Sequence, residues 1–155
     1  MSEFKLQRCV SPDWVDYNGH MNDAEYSRVF SLAVDEFMDQ IGLDYEGRQT
    51  LAYTIFTLES HICYLKEAHE GQQLTITCQI LDLDKKRIHI FFNMLNDLDE
   101  LIATSEQMLM GIGTTDGRPA PFPEQVSSVL ADIYANDHEK ETPKQAGRKI
   151  GIRKG

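Results

Sequence analysis

The chain has 155 residues, the usual size of one domain, and at that length it can hold a core without metals or disulfides. Its composition, 41% hydrophobic and 26% charged, excludes disordered, collagenous and coiled-coil classes. A net charge of −10 argues against nucleic acid as the main partner, and no apolar run approaches the ~20 residues that cross a bilayer, so no membrane is expected.

Residues 4–10 read as a first strand. Residues 11–22 are dense in Pro12, Asp13, Trp14, Asp16, Gly19, His20 and Asn22, and read as a loop. A long helix follows. Tyr26, Val29, Phe30, Ala33, Val34, Phe37, Met38 and Ile41 recur at intervals of three and one, a stripe made to face a core. Asn22 is a favoured N-cap, Glu25 three residues on completes a capping-box pattern, and Gly42 is a natural stop.

After a loop to about residue 51, four strand-like segments follow at residues 52–66, 74–83, 87–96 and 101–113. They are rich in Ile, Phe, Tyr, Thr and Leu, and short turn segments separate them, which favours antiparallel neighbours. Residues 114–123 form a Gly/Pro-rich turn segment. Val126, Val129, Leu130, Ile133 and Tyr134 predict a second, shorter helix. The predicted class is α+β, a long helix against one face of a curved antiparallel sheet.

The last stretch, residues 138–155, reads as a flexible basic tail. Its six basic residues against two acidic ones give +4, so of the total −10 the first 137 residues hold −14. The N-terminal residues lack the apolar core of a signal peptide, and the expected location is cytoplasmic. Cys9, Cys63 and Cys78 are odd in number and have no zinc-ligand spacing, so they read as small buried hydrophobes and no metal is expected.

The segment that carries chemistry is Trp14-Val15-Asp16-Tyr17-Asn18-Gly19-His20-Met21-Asn22-Asp23-Ala24-Glu25-Tyr26. It joins a carboxylate, a tight turn and a helix start. The first N–H groups of a helix have no internal acceptors, and the helix dipole adds positive charge there. With the Asn22 side chain capping Ala24 or Glu25, the Asp23 N–H is left for a ligand oxygen. An anion to attack or activate water, beside a pre-aimed donor, is what acyl transfer requires. Asp16 and Asn22 equally serve a plain turn and a plain cap.

Asp16-x-x-Gly19-His20-Met21-Asn22-x-x-x-Tyr26 before a long helix resembles the signature of the 4-hydroxybenzoyl-CoA thioesterase-like hotdog family. His61 to Lys66 followed by Glu70-Gly71 resembles its second strand and turn, and Gly117-Arg118-Pro119 with Pro121 and Pro123 resembles its closing segment. The resemblance covers about residues 4–135. It implies a hotdog domain over 1–137 plus the tail, and hydrolysis of an acyl-CoA. Asp16 would be the nucleophile or general base and the Asp23 N–H the oxyanion donor. His20 would position Asp16 or the substrate, or serve structure alone. It also implies a homodimer or dimer of dimers and no cofactor beyond the CoA of the substrate.

Trp14 to Met21, Lys86-Arg87-Ile88-His89 and Ala103 to Leu109 further resemble thioesterases of carnitine degradation, some fused to L-carnitine dehydrogenase and some acting on betainyl-CoA. A trimethylammonium acyl group favours aromatic faces and carboxylates. Trp14 and Tyr17 flank Asp16, Asn18 and Gly19 shape the turn, and Glu59 and Glu106 interrupt apolar strands; these six are the expected substrate contacts. Lys85, Lys86, Arg87 and Arg118 are the expected partners of the CoA phosphates, with a solvated hairpin turn as the plain alternative for the lysines. The competing functions are a hotdog dehydratase and a non-catalytic acyl-CoA-binding module.

Overall fold

A computed structural model describes residues 3–154; Met1 and Ser2 of the expected domain and Gly155 of the expected tail lie outside the described residues. The elements in order are β1 (Leu6–Cys9), α1 (Asp23–Gln40), α2 (Tyr45–Leu51), β2 (Tyr53–Tyr64), β3 (Gln73–Leu83), β4 (Arg87–Leu95), β5 (Leu101–Gly113), β6 (Arg118–Pro119) and α3 (Glu124–Asp137). Every strand pair is antiparallel, in the order β1-β3-β4-β5-β2, with β6 added on β5. Among the described residues no helix is long and apolar enough to cross a membrane.

The predicted stripe of α1 is the stripe that is buried: Tyr26, Val29, Phe30, Ala33, Val34, Phe37 and Met38, with Ile41 just beyond. It packs in one cluster with Leu74, Ile76 and Ile80 of β3 and Ile88, Ile90, Phe92 and Met94 of β4. Side chains alternate across a strand, so these positions define the helix-facing side of the sheet. The stop at Gly42 is also as expected. Gly42 takes φ +96, its N–H donates to Asp39 O at 3.3 Å, and the Leu43 N–H donates to Met38 O at 2.8 Å. That pair of bonds is a Schellman motif, and buried Leu43 supplies its apolar contact.

The structure departs from the sequence reading at three places. Residues 45–51, read as loop, form α2, whose N-cap Asp44 accepts the Gly47 N–H at 2.8 Å. Seven residues, about two turns, with a glycine inside lack the apolar periodicity that marked α1. Residues 118–119 add a short strand inside the turn segment.

The third departure is a β-bulge between Thr57 and Glu59. Before it, Tyr53 and Ile55 face the core; after it, the helix-facing positions are Ser60, Ile62 and Tyr64, paired with Gln107, Ser105 and Ala103. Glu59, which a regular strand would turn inward with Tyr53 and Ile55, is thereby turned out.

The tail follows the sheet through several hydrogen bonds. Gln79 Nε2 donates to Glu141 O at 3.3 Å, and the Gly147 N–H donates to Glu106 Oε1 at 2.7 Å. Buried Asp137, at the end of α3, accepts the Ile80 N–H at 2.9 Å, closing a stretch of β3 that β1 is too short to cover.

Candidate active site

Asp16 is the organising residue of a five-residue turn. Its Oδ1 accepts the N–H groups of Asn18 at 2.8 Å and His20 at 3.1 Å. Its own N–H donates to His20 O at 2.9 Å, and the Gly19 N–H donates to Asp16 O at 3.0 Å. Gly19 closes the turn at φ +78, where a side chain would be strained. Among the described residues Asp16 Oδ2 makes no hydrogen bond, and the residue is exposed.

Backbone bonds fasten this turn to the start of α1 and to the loop after β2. The Asn22 N–H donates to Trp14 O at 2.9 Å, the Met21 N–H to Ala68 O at 2.8 Å, and the Glu70 N–H to Gly19 O at 3.0 Å. The buried Tyr26 hydroxyl accepts the Ala68 N–H at 2.9 Å. The Tyr64 hydroxyl donates to Asp23 O at 3.3 Å, and the two tyrosine rings meet edge to face at 5.2 Å. Burial raises the pKa of both phenols; the Ala68 bond opposes it at Tyr26 and the Asp23 carboxylate adds to it at Tyr64.

Asn22 occupies the N-cap position with extended backbone, but its side chain makes no cap bond. The expected capping box is not formed. The Ala24 N–H is taken by Asp23 Oδ1 at 2.9 Å, the Glu25 N–H by Asn22 O at 3.0 Å, and Glu25 reaches Arg28 at 2.7 Å. An aspartate at the first helical position and an arginine one turn on outcompete the reciprocal cap. The consequence for Asp23 is unchanged: among the described residues nothing accepts its backbone N–H.

His20 sends Nδ1 to Glu67 Oε2 at 2.8 Å and meets the His69 ring edge to face at 4.8 Å. Its backbone, not its ring, touches Asp16. Beside Tyr26 of the motif, Glu67, His69 and Tyr64 are the residues at this site that the sequence reading assigned no role. The only sequence signal for them was the stretch from Tyr64 to Gly71, whose proximity to the turn is set by tertiary pairing.

The other expected contacts divide. Trp14 is half-buried and packs against the core, while Tyr17 stands 96% exposed beside exposed Asn18. Glu59 and Glu106 share a cleft of about 470 Å³ with His61 and His89, on the sheet face turned away from α1. Glu106 is held there by His89 Nε2 at 2.6 Å and by Gly147. Within one chain these two glutamates meet each other and not Asp16.

Lys85 and Lys86 lie in the β3–β4 turn, and Arg87 opens β4. Asp84 caps the Lys86 and Arg87 N–H groups and pairs with the Arg87 guanidinium at 2.6 Å. The Phe122 N–H donates to Lys85 O at 2.9 Å, and Arg118 pairs with Gly113, so the four basic residues gather at one end of the sheet. Tyr64, beside the Asp16 turn, is at the other end of the β2–β5 ladder. Roughly 30 Å of strand separates the two groups within a chain.

A family model described as "Thioesterase-like superfamily" matches residues 10–130. The chain is 39% identical over 144 residues to the betainyl-CoA thioesterase of Pseudomonas aeruginosa, covering 92% of this chain and 91% of that protein. It is 38% identical to the L-carnitine dehydrogenase/betainyl-CoA thioesterase of Rhizobium sp, covering 94% of this chain and 29% of that longer protein. The solved structure of SAV2348 from Staphylococcus aureus in complex with CoA superposes with a TM-score of 0.92 at 39% identity, over 98% of this chain and 96% of that one. The architecture is thus the hotdog fold that the motif implied.

Proposed function

The chain belongs to the Thioesterase-like superfamily, and on that premise we propose that it is an acyl-CoA thioesterase whose chemistry is centred on Asp16. One observation carries the proposal. Among the described residues, a carboxylate oxygen without a partner, Asp16 Oδ2, and a backbone donor without an acceptor, the Asp23 N–H, belong to one hydrogen-bonded unit at the start of α1. The thioester carbonyl lies over the helix start, where the Asp23 N–H and the helix dipole stabilise the developing oxyanion. Asp16 attacks the carbonyl and expels CoA thiolate, leaving a mixed anhydride that water hydrolyses to the free acid and Asp16, the acid proton passing to the thiolate; or Asp16 takes a proton from the attacking water and returns it to the departing thiolate.

The two bonds to Oδ1 fix the carboxylate, so Oδ2 is presented without reorganisation. His20, oriented by Glu67, lines the same turn. The substrate is a short acyl-CoA, with betainyl-CoA the leading candidate on the strength of the relatives named above.

The active assembly is at least a homodimer. The sheet ends on β2, whose Phe56, Leu58 and Tyr64 are 53%, 52% and 51% exposed. An apolar strand at an open sheet edge is normally covered, and a second copy does so symmetrically. Lys85, Lys86 and Arg118, too distant within the chain, then serve the CoA phosphates of the partner's site. The domain is assigned to residues 1–137 and the basic tail to 138–155. The test is a panel of acyl-CoAs, with free thiol as the readout, for the wild type and Asp16→Asn. Binding of CoA without turnover by the wild type would support a binding module instead.

A further inference from the structure

Gln107 lies in β5 and is 5% exposed. Its Cα partners are Ile90 on β4 and Ser60 on β2, and Ile90 belongs to the helix-facing core. The amide nitrogen donates to Ser105 Oγ at 3.0 Å, and Ser105 Oγ lies 3.4 Å from Ser60 Oγ. Among the described residues the amide oxygen has no partner. Turning the amide over exchanges oxygen and nitrogen and leaves the nitrogen unpaired instead. In either orientation one polar atom of a buried amide is unused, which protein interiors rarely retain. An apolar side chain of the same volume would fill the place without that penalty.

The amide also has a direction. The helix-facing pairs run Tyr64–Ala103, then Ile62–Ser105, then Ser60–Gln107. Tyr64 reaches the Asp23 carbonyl at the start of α1. One two-residue step, ~7 Å of strand, separates the level of Tyr64 from that of Ser105, to which the Gln107 amide bends back. Ser60 is exposed in a single chain, so this polar strip runs out to the β2 edge, the edge assigned above to the second copy.

We propose that Gln107, oriented by Ser105, is the specificity-determining contact for the far end of the acyl group. It selects a short acyl chain with a polar or cationic end over a hydrocarbon of the same shape. This rests on the thioesterase reading above. A hydrocarbon end leaves the buried amide oxygen without a partner, whereas an end with an O–H or N–H donates to it and a quaternary ammonium, which has no N–H, is drawn to it by charge–dipole attraction. A quaternary ammonium is held by the amide and serine oxygens, with the Tyr26 and Tyr64 rings beside the strip.

The experiment compares betainyl-CoA with tert-butylacetyl-CoA, in which carbon replaces the cationic nitrogen. The full chain is used as wild type, Gln107→Met and Ser105→Ala. The wild type should prefer the cationic ester by about tenfold or more in kcat/KM. Gln107→Met should lower that ratio about tenfold, through loss of betainyl turnover, with an unchanged or higher Tm because an unpaired amide has been removed. Ser105→Ala, which removes only the anchor, should lower the ratio partway and keeps the idea testable if the methionine variant does not fold. An unchanged ratio in the folded variants, or a wild-type preference for the hydrocarbon ester, overturns this inference and leaves the thioesterase reading intact. No turnover of any acyl-CoA by the wild type overturns both.

Discussion

One carboxylate oxygen of Asp16 accepts the backbone N–H of Asn18 at 2.8 Å, so the residue placed at the chemical centre is also a fastening of its own turn. The two roles belong to different atoms, and substitutions separate them. Asparagine can keep the acceptor at Oδ1 and removes the charge. Asp16→Asn should therefore fold normally and lose about 100-fold or more in kcat. Asp16→Ala should lose the same activity and also about 1 kcal/mol, or roughly 3 °C in Tm. Acyl-CoA assays beside thermal melts check this, and near-normal activity of either variant would remove Asp16 from the mechanism.

His20 and Glu67, 2.8 Å apart, should behave as one unit. His20→Ala is expected to reduce kcat/KM more than Glu67→Ala, and the double variant to be no worse than His20→Ala alone. Glu67 is 66% exposed, so its loss should leave Tm within about 1 °C. Independent, additive losses in the cycle would separate the two residues.

Asp137 closes the uncovered part of β3. Its buried carboxylate accepts the Ile80 N–H and pairs with Lys140 at 3.0 Å. Asp137→Ala leaves that N–H without a partner and should cost about 2 kcal/mol, roughly 5 °C in Tm. Asp137→Asn, which retains an acceptor, should cost less. Calorimetry on the three proteins decides it.

The β3–β4 turn should be acid-sensitive. Hydrogen bonding from the Lys86 N–H, with help from Arg87, holds the Asp84 carboxyl below its ordinary value of 3.8. A depressed carboxylate pKa stabilises the fold above the unfolded value, and the contribution is lost as pH falls through the folded value. The Tm gap between wild type and Asp84→Asn should thus be present at neutral pH and close as pH drops well below 3.8. A gap that persists in acid would assign the effect to turn geometry instead of charge.

The three cysteines should react in a fixed order. Desolvation holds the Cys78 thiol far above its ordinary range; Cys9 is exposed, and Cys63 and Cys78 are both half-buried. Iodoacetamide in mildly alkaline buffer should label Cys9 first and Cys78 last, as read by mass spectrometry of the peptides. Early labelling of Cys78 in the native protein would contradict its burial. The expectation of three buried cysteines needs correction: Cys9 is exposed on β1 at the rim of the sheet, and Cys63 and Cys78 are only half-buried.

Periodicity and capping chemistry alone determined the long helix with its stripe from Tyr26 to Ile41, its stop at Gly42, the antiparallel strand series and the position of the Asp16 turn before a helix start. Those features are local, and local geometry needs only neighbouring residues. Tertiary pairing decided the rest. It set Ala68 and Glu70 against the Asp16 turn, brought Tyr64 to Asp23, and put the Lys85 turn at the opposite end of the sheet. The bulge after Thr57 reversed which side chains of β2 face the helix, placing Glu59 on the far face, where Glu106 of β5 lies, and Ser60 beside Gln107. A one-residue register shift exchanges every later side chain between the two faces, and a pattern of residue types does not record where such a shift falls.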